Sequence, residues 1–242
     1  MDSNTVQNHS KEEINKTQLK NQIDNLKSKY ILQKIFDNLP KKKSFEIIKY
    51  NKKIQKRVNI DINDYKVFRE KYSEIIIEII PGNNKYGKFI NIKDKEELYY
   101  HIYFNNNKQE IKRNYITEND NVTKIDTMID YQVKSFEKLF SSCECIESIN
   151  FKKFYRNNII DMRSMFSECS SLKEINLSNF NTNNVTDMSA MFNGCSSLKE
   201  INLSNFNTNN VTYMYEMSSG CSDDVKNKIR EQIKNIKEEA FK

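Results

Sequence analysis

General acid–base and nucleophilic chemistry draws first on histidine and cysteine, and the chain has two histidines and five cysteines in 242 residues. His9 lies in a polar stretch. His101 lies in the strand-like, tyrosine-rich run from Tyr99 to Phe104, where a structural or surface role suits it better than that of a base. Activity lost on changing His101 or Cys145 is what an enzyme would require. The spacing Cys143-x-Cys145 resembles half of a metal site, but structural zinc takes four ligands and no second pair accompanies it. Gly87-Lys88 lacks both the upstream glycine and the Ser or Thr of a phosphate-binding loop. No set of acid, base and nucleophile converges, so a non-enzymatic chain without metal or cofactor is expected.

The remaining cysteines keep a fixed step. Cys143, Cys169, Cys195 and Cys221 are 26 residues apart. The stretch CSSLKEINLSNFNTNNVTDM (Cys169 to Met188) returns as CSSLKEINLSNFNTNNVTYM (Cys195 to Met214), with Asp187 replaced by Tyr213. Other apolar columns follow the same step: Phe140, Phe166 and Phe192; Phe136, Met162, Met188 and Met214; Ile149, Ile175 and Ile201; Phe154, Phe180 and Phe206. Repetition at a fixed period is the mark of stacked structural units rather than of a catalytic centre. The cysteines then read as small buried hydrophobes with reduced thiols.

Within each unit, Ile175-Asn176-Leu177 alternates apolar and polar residues, the period of a strand with one buried face. Val185, Met188, Met191 and Phe192 fall at i, i+3, i+6 and i+7, which predicts a short helix on the opposite side. Asn-rich residues 181–184 supply the turn between them. Equivalent strands would lie about 4.8 Å apart in a parallel sheet. Three coils would then offer a face only about 15 Å long.

The repeat pattern Leu-x-x-Ile-x-Leu-Ser-Asn-Phe-x-Thr-x-Asn-Val-Thr-x-Met-x-x-Met-Phe resembles the BspA-like leucine-rich repeats over residues 131–221. That resemblance implies an α/β fold, a short leucine-rich-repeat solenoid of parallel sheet plus short helices. It also implies protein–protein interaction as the function, with cell-surface adhesion as an alternative. Residues 222–242 are expected to form a C-terminal cap helix, with Val225, Ile229, Ile233, Ile236 and Ala240 on one stripe. Residues 70–130 read as a small β-rich unit. It contains the run SEIIIEIIP, a hairpin turning at Asn105 to Lys108, and an N-terminal cap strand from Val122 to Met128.

Residues 1–18 are polar and expected to be disordered, and residues 19–60 carry helical spacing. Leu19, Ile23, Leu26 and Tyr30 form one pattern; Ile31, Ile35 and Phe36 a second; Phe45, Ile48 and Ile54 a third. The stretch KYILQKIFDNLPKKKSFEIIKYNKKIQKR, residues 29–57, is similar to an F-box, whose opening helix carries the matching apolar positions. The similarity implies docking on a ubiquitin-ligase adaptor through Ile31, Leu32, Ile35, Phe36 and Leu39. The same spacing also serves an ordinary helical core.

Charge is uneven. Residues 1–60 hold 14 Lys and Arg against 6 Asp and Glu, whereas residues 131–221 hold 8 against 9. The basic segment is read as a solvated helix surface, and no nucleic-acid partner is expected. No signal-peptide pattern or membrane-length apolar run occurs, which points to the cytoplasm. The partner expected is a protein of unknown identity. The candidate contacts are the residues that alternate outward from the buried columns: Lys173, Glu174 and Asn176, then Lys199, Glu200 and Asn202. Tyr213 and Tyr215 break the repeat and join them, as exposed tyrosines suit interfaces.

Overall fold

A computed structural model of the chain describes residues 26–39, 44, 47, 51–58, 62–130 and 132–242. The expected tail, the helical positions Leu19 and Ile23, and the apolar positions Phe45 and Ile48 lie outside the described residues. The chain divides into two compact units, residues 1–68 and 69–242.

In the first unit, α1 (Lys29–Asn38) begins where the Ser28 side chain accepts the Ile31 N–H, an N-cap that satisfies one of the free amides of the first turn. It buries Leu32 and Phe36 against Ile54 and Val58, two turns' worth of one apolar stripe. The helix α2 (Lys52–Arg57) starts afresh at its own N-cap, Asn51, whose side chain accepts the Ile54 N–H. Helix α3 (Ile62–Tyr72) follows and leads into the second unit.

The second unit is organised by one six-stranded sheet, in the order β3-β5-β1-β6-β7-β8. These strands are β1 (Ile75–Pro81), β3 (Tyr100–Phe104), β5 (Ile125–Ile129), β6 (Ile146–Lys153), β7 (Glu174–Asn176) and β8 (Glu200–Asn202). A separate two-stranded ribbon pairs β2 (Gly87–Lys88) with β4 (Tyr115–Ile116). In β1, β3 and β5 every second residue is buried, so Ile75, Ile77 and Ile79 share the core with Tyr100, Ile102, Ile125 and Ile129.

The β6–β8 half follows the 26-residue register. Ile149 pairs with Ile175, and Ile175 with Ile201, on adjacent parallel strands. The columns become internal stacks. Phe140, Phe166 and Phe192 lie ring over ring, with centroids 5.6 Å apart at each step.

The architecture nevertheless differs from the expected α/β leucine-rich-repeat solenoid of parallel sheet plus short helices. The sheet is mixed: β1 lies antiparallel on β6, and β5 and β3 extend that antiparallel half. The segment read as an N-terminal cap strand is β5, which lies between β3 and β1; the first repeat strand is covered by β1 instead.

The expected repeat helices are absent among the described residues, and the reason lies in the backbone. Lys138, Ser164, Ala190 and Glu216 share one column and all have φ between 52° and 59°. A second column, Ser142, Glu168, Gly194 and Gly220, is also left-handed. A right-handed helix cannot pass through such residues. Instead alternate N–H groups donate to the next unit: Met188 to Tyr213, Ala190 to Tyr215, Phe192 to Met217 and Gly194 to Ser219. The turns thus form a hydrogen-bonded ladder of their own. Apolar spacing of i, i+3, i+6 and i+7 arises here from alternating turns.

Asparagine stitches the opposite side. Asn184 Nδ2 donates to Asn157 O at 2.7 Å, Asn210 Nδ2 donates to Asn183 O at 2.5 Å, and Asn205 Nδ2 donates to Ser178 O. Thr182, fully buried, donates to Asn207 O, and Thr208 donates to Lys234 O. Arg156, also fully buried, holds this column's first position. It reaches backward, donating to the carbonyls of Asp130 and Val133 and to Asn158 Oδ1.

At the far end, α4 (Asp223–Gln232) is N-capped by Ser222 and carries Asp223 and Asp224 in its first turn, where the helix dipole favours acids. The helix stops at Gln232 rather than running on, and Asn235 turns with φ 62° into a short 3₁₀ segment, Glu238–Phe241. Val225, Ile229, Ile233 and Ala240 are all buried. Gln232 covers the edge of β8: its Nε2 donates to Ile201 O at 2.9 Å, and its Oε1 accepts the Leu203 N–H at 2.7 Å. One side chain thereby occupies both the acceptor and the donor that a further strand would use.

Candidate functional site

The outer face of β6, β7 and β8 is an open groove of about 360 Å³, lined by Ser148, Asn150, Glu174, Asn176, Glu200 and Asn202 with the backbone of the isoleucine column beneath. The register sets its pattern. Ser148, Glu174 and Glu200 form one row across the strands, and Asn150, Asn176 and Asn202 form the next. Burial alternates so that Ile175 and Ile201 are inside while both neighbours on each strand are exposed.

The asparagines are locked. Asn176 Oδ1 accepts the Ser178 N–H at 3.0 Å, and Asn202 Oδ1 accepts the Ser204 N–H at 3.1 Å. Those bonds use the carbonyl end, so the amide end is the donor each residue has left for a ligand. Glu200 is met from the end of the sheet by Lys228 of α4, at 3.2 Å, and Lys228 Nζ also donates to Lys199 O at 2.8 Å. Asp224 and Glu200 hold the Lys228 ammonium above its ordinary pKa.

The outward residues expected from alternation divide in two. Glu174, Asn176, Glu200 and Asn202 meet in the groove. Lys173 and Lys199 stand in the neighbouring column, where Lys173 pairs with Glu147 at 3.1 Å. Tyr213 and Tyr215 are exposed but belong to the turn ladder, not the groove: Tyr213 bridges to Asp187. Lys228 is the residue that sequence reasoning missed. Its one local signal, Asp224 four residues earlier, marks a solvated helix face rather than a contact.

The candidates for catalysis are dispersed. His101 Nδ1 lies 3.0 Å from Glu110 Oε1, which Lys112 also approaches at 2.7 Å; hydrogen bonds from Lys112 and His101 hold the Glu110 carboxyl below its ordinary pKa. Cys145 Sγ instead faces Lys88 O at 3.0 Å, and burial pushes its thiol up to about 11. The other thiols are buried; three are directed at carbonyls one unit back, Cys169 at Phe140, Cys195 at Phe166 and Cys221 at Phe192, and Cys143 faces Ser141 O. No group of three His, Cys, Asp or Glu residues suited to a metal occurs among the described residues.

A smaller hollow of about 180 Å³ lies where β3 and residues 111–114 diverge, floored by Ile92, Tyr100, Ile102 and Ile111. Its volume is below the roughly 300 Å³ of ordinary ligand sites. Its two cations are already engaged, Lys112 by Glu110 and Arg113 by Asp120 at 2.5 Å.

In the first unit, the residues expected to dock an adaptor do not share one surface. Phe36 is buried, Ile35 and Leu39 are half-buried, and Ile31 is exposed beside Tyr30. Among the described residues, no helix is long and apolar enough to cross a membrane.

Residues 134–239, under half of the chain, match a family described as Mycoplasma protein of unknown function, DUF285. The matched stretch takes in the repeats and α4, so what this family shares with the chain is the groove-bearing region. Searches among curated proteins and among solved structures gave no match.

Proposed function

We propose that the chain is a non-enzymatic protein-interaction module that binds its partner on the outer face of β6, β7 and β8. The observation that carries this reading is the groove itself, where rows of carboxylate and amide side chains are held exposed at strand spacing over an isoleucine column. Repetition places like groups at regular intervals, which suits an extended partner better than a small substrate. The resemblance to BspA-like repeats supports the same reading. The free, buried thiols fit a reducing compartment such as the cytoplasm. The test is to compare partners captured by the wild-type chain, by Glu174→Arg/Glu200→Arg, and by Tyr213→Ala, all with the same denaturation midpoint. Loss of a partner in the double variant alone supports the groove. A partner set unchanged in the double variant contradicts it.

A second reading, an F-box-like adaptor of a ubiquitin ligase, is favoured by one observation: α1 leaves Tyr30 and Ile31 exposed, 70 % and 50 %. Micromolar association with the purified adaptor subunit, abolished by Ile31→Asp, supports it. No association at that concentration removes it.

A further inference from the structure

We propose that the occupant of the β6–β8 groove is an extended segment of a protein partner that presents lysine to Glu174. This inference rests on the proposed function and names the chemistry of the partner.

Two observations lead to it. The first is an unbalanced pair. Glu174 and Glu200 are direct partners on adjacent parallel strands, and like charges in that position destabilise a sheet. The other carboxylates on this side of the sheet have cations: Lys152 and Lys124 serve Glu78, Lys173 serves Glu147, and Lys228 serves Glu200. Among the described residues Glu174 has none. Lys199 does not serve it, because Lys199 lies over Lys173 in the next column and donates its backbone N–H to Lys173 O.

The second observation is that the chain already displays how a lysine engages this surface. Lys228 places its ammonium between a carboxylate of the row, Glu200, and the backbone carbonyl of the residue before it, Lys199 O. The Glu174 position repeats the carboxylate one strand inward but not the carbonyl, since Lys173 O already accepts the Lys199 and Glu200 N–H groups; the donor amides of Asn176 and Asn202 stand beside it. A partner lysine at Glu174 would relieve the repulsion from Glu200, while the amides bind the carbonyls of the partner's backbone.

Size limits the segment. Two strand intervals span about 10 Å, and an extended chain advances about 3.4 Å per residue, so about three residues fit. Such a contact is an exposed, salt-sensitive one. The anionic row excludes nucleic acid and anionic lipid, whose phosphates would meet Glu174 and Glu200.

The experiment is a titration of the full-length, isotopically labelled chain with an end-blocked tri-lysine peptide, followed by amide chemical shifts. The expected result is shifts confined to residues 148–150, 174–176 and 200–202, weakening several-fold between 50 and 300 mM salt. Glu174→Gln should weaken binding at least threefold, and acetylating the lysines should abolish it. No shift in the groove, equal shifts with the acetylated peptide, or an unaltered response in Glu174→Gln overturns the inference. So does spermidine binding as tightly as the peptide, which would make this a polyamine site. The two readings fail separately. Partner capture lost in Glu174→Arg/Glu200→Arg without any tri-lysine response removes this inference alone. Capture indifferent to those changes removes the proposed function, whatever the peptide does.

Discussion

The two halves of the six-stranded sheet solve the same problem by different means. In β3, β5 and β1 the strands run five to seven residues, and cross-strand isoleucines on one face hold them together. Their outer residues, His101, Tyr103, Asp126, Met128, Ile76 and Glu78, are all half-buried. In β7 and β8 each strand has only three residues, and both outer residues of each are exposed. So little strand cannot hold these units in register. That task passes to the turn ladder, the asparagine amides and the stacked columns of Phe, Met and Cys. The sheet face of the repeat half is thereby free of structural duty, and that is the face carrying the groove.

Arg156→Ala strikes the seam between the halves. It strips the buried Val133 carbonyl of its Arg156 donor, removes a second donor from Asp130 O and leaves a cavity, so a loss of about 3 kcal/mol or more is expected in urea denaturation. A change below 1 kcal/mol would show that the seam does not depend on it. Gln232→Ala exposes the edge of β8 and should cost about 1–2 kcal/mol. It should also add concentration-dependent self-association in sedimentation, which a merely weakened helix would not produce.

The left-handed columns offer a paired test. Ala190→Gly should stabilise by up to about 1 kcal/mol, since glycine accepts φ 53° without strain. Gly194→Ala should destabilise by about 1 kcal/mol or more, because φ is 71° and its Cβ would meet the Glu168 carboxylate at 2.6 Å. Equal effects of the two changes would deny the alternating turns.

The thiols give the most specific effect. Burial raises the pKa of Cys169 to about 12 and that of Cys221 to about 11, above a free thiol. The folded state therefore holds protons that the unfolded chain has released. Stability from these groups is complete below about pH 8.5 and declines as pH rises through 11 and 12. Denaturation midpoints at pH 7.5 and 10 should show the fall, and Cys169→Ser should lessen it.

Much of the repeat half was legible. The column of Ile149, Ile175 and Ile201 is visible as spacing, and alternation about Ile175 identifies Glu174 and Asn176 as outward. The helix expected at Val185–Phe192 was misread because left-handed residues such as Lys138, Ser164 and Ala190 carry no common side-chain signature. The pairing of β1 on β6 was hidden for a different reason. Antiparallel contact between Ile79 and Ile149 spans 70 positions, and neither strand names its partner. Hence the mixed sheet could not be read from local pattern. Lys228 and Gln232 look like ordinary polar residues of an amphipathic helix until β8 lies beside them.

Strands β6, β7 and β8 stand in parallel at an offset of 26 residues, and that register alone aligns Glu174 with Glu200. Inter-strand nuclear Overhauser contacts measure it directly. Backbone contacts linking the neighbourhood of Ile149 to Ile175, and of Ile175 to Ile201, are the predicted result. Contacts at any other offset, or antiparallel ones among these strands, would contradict it.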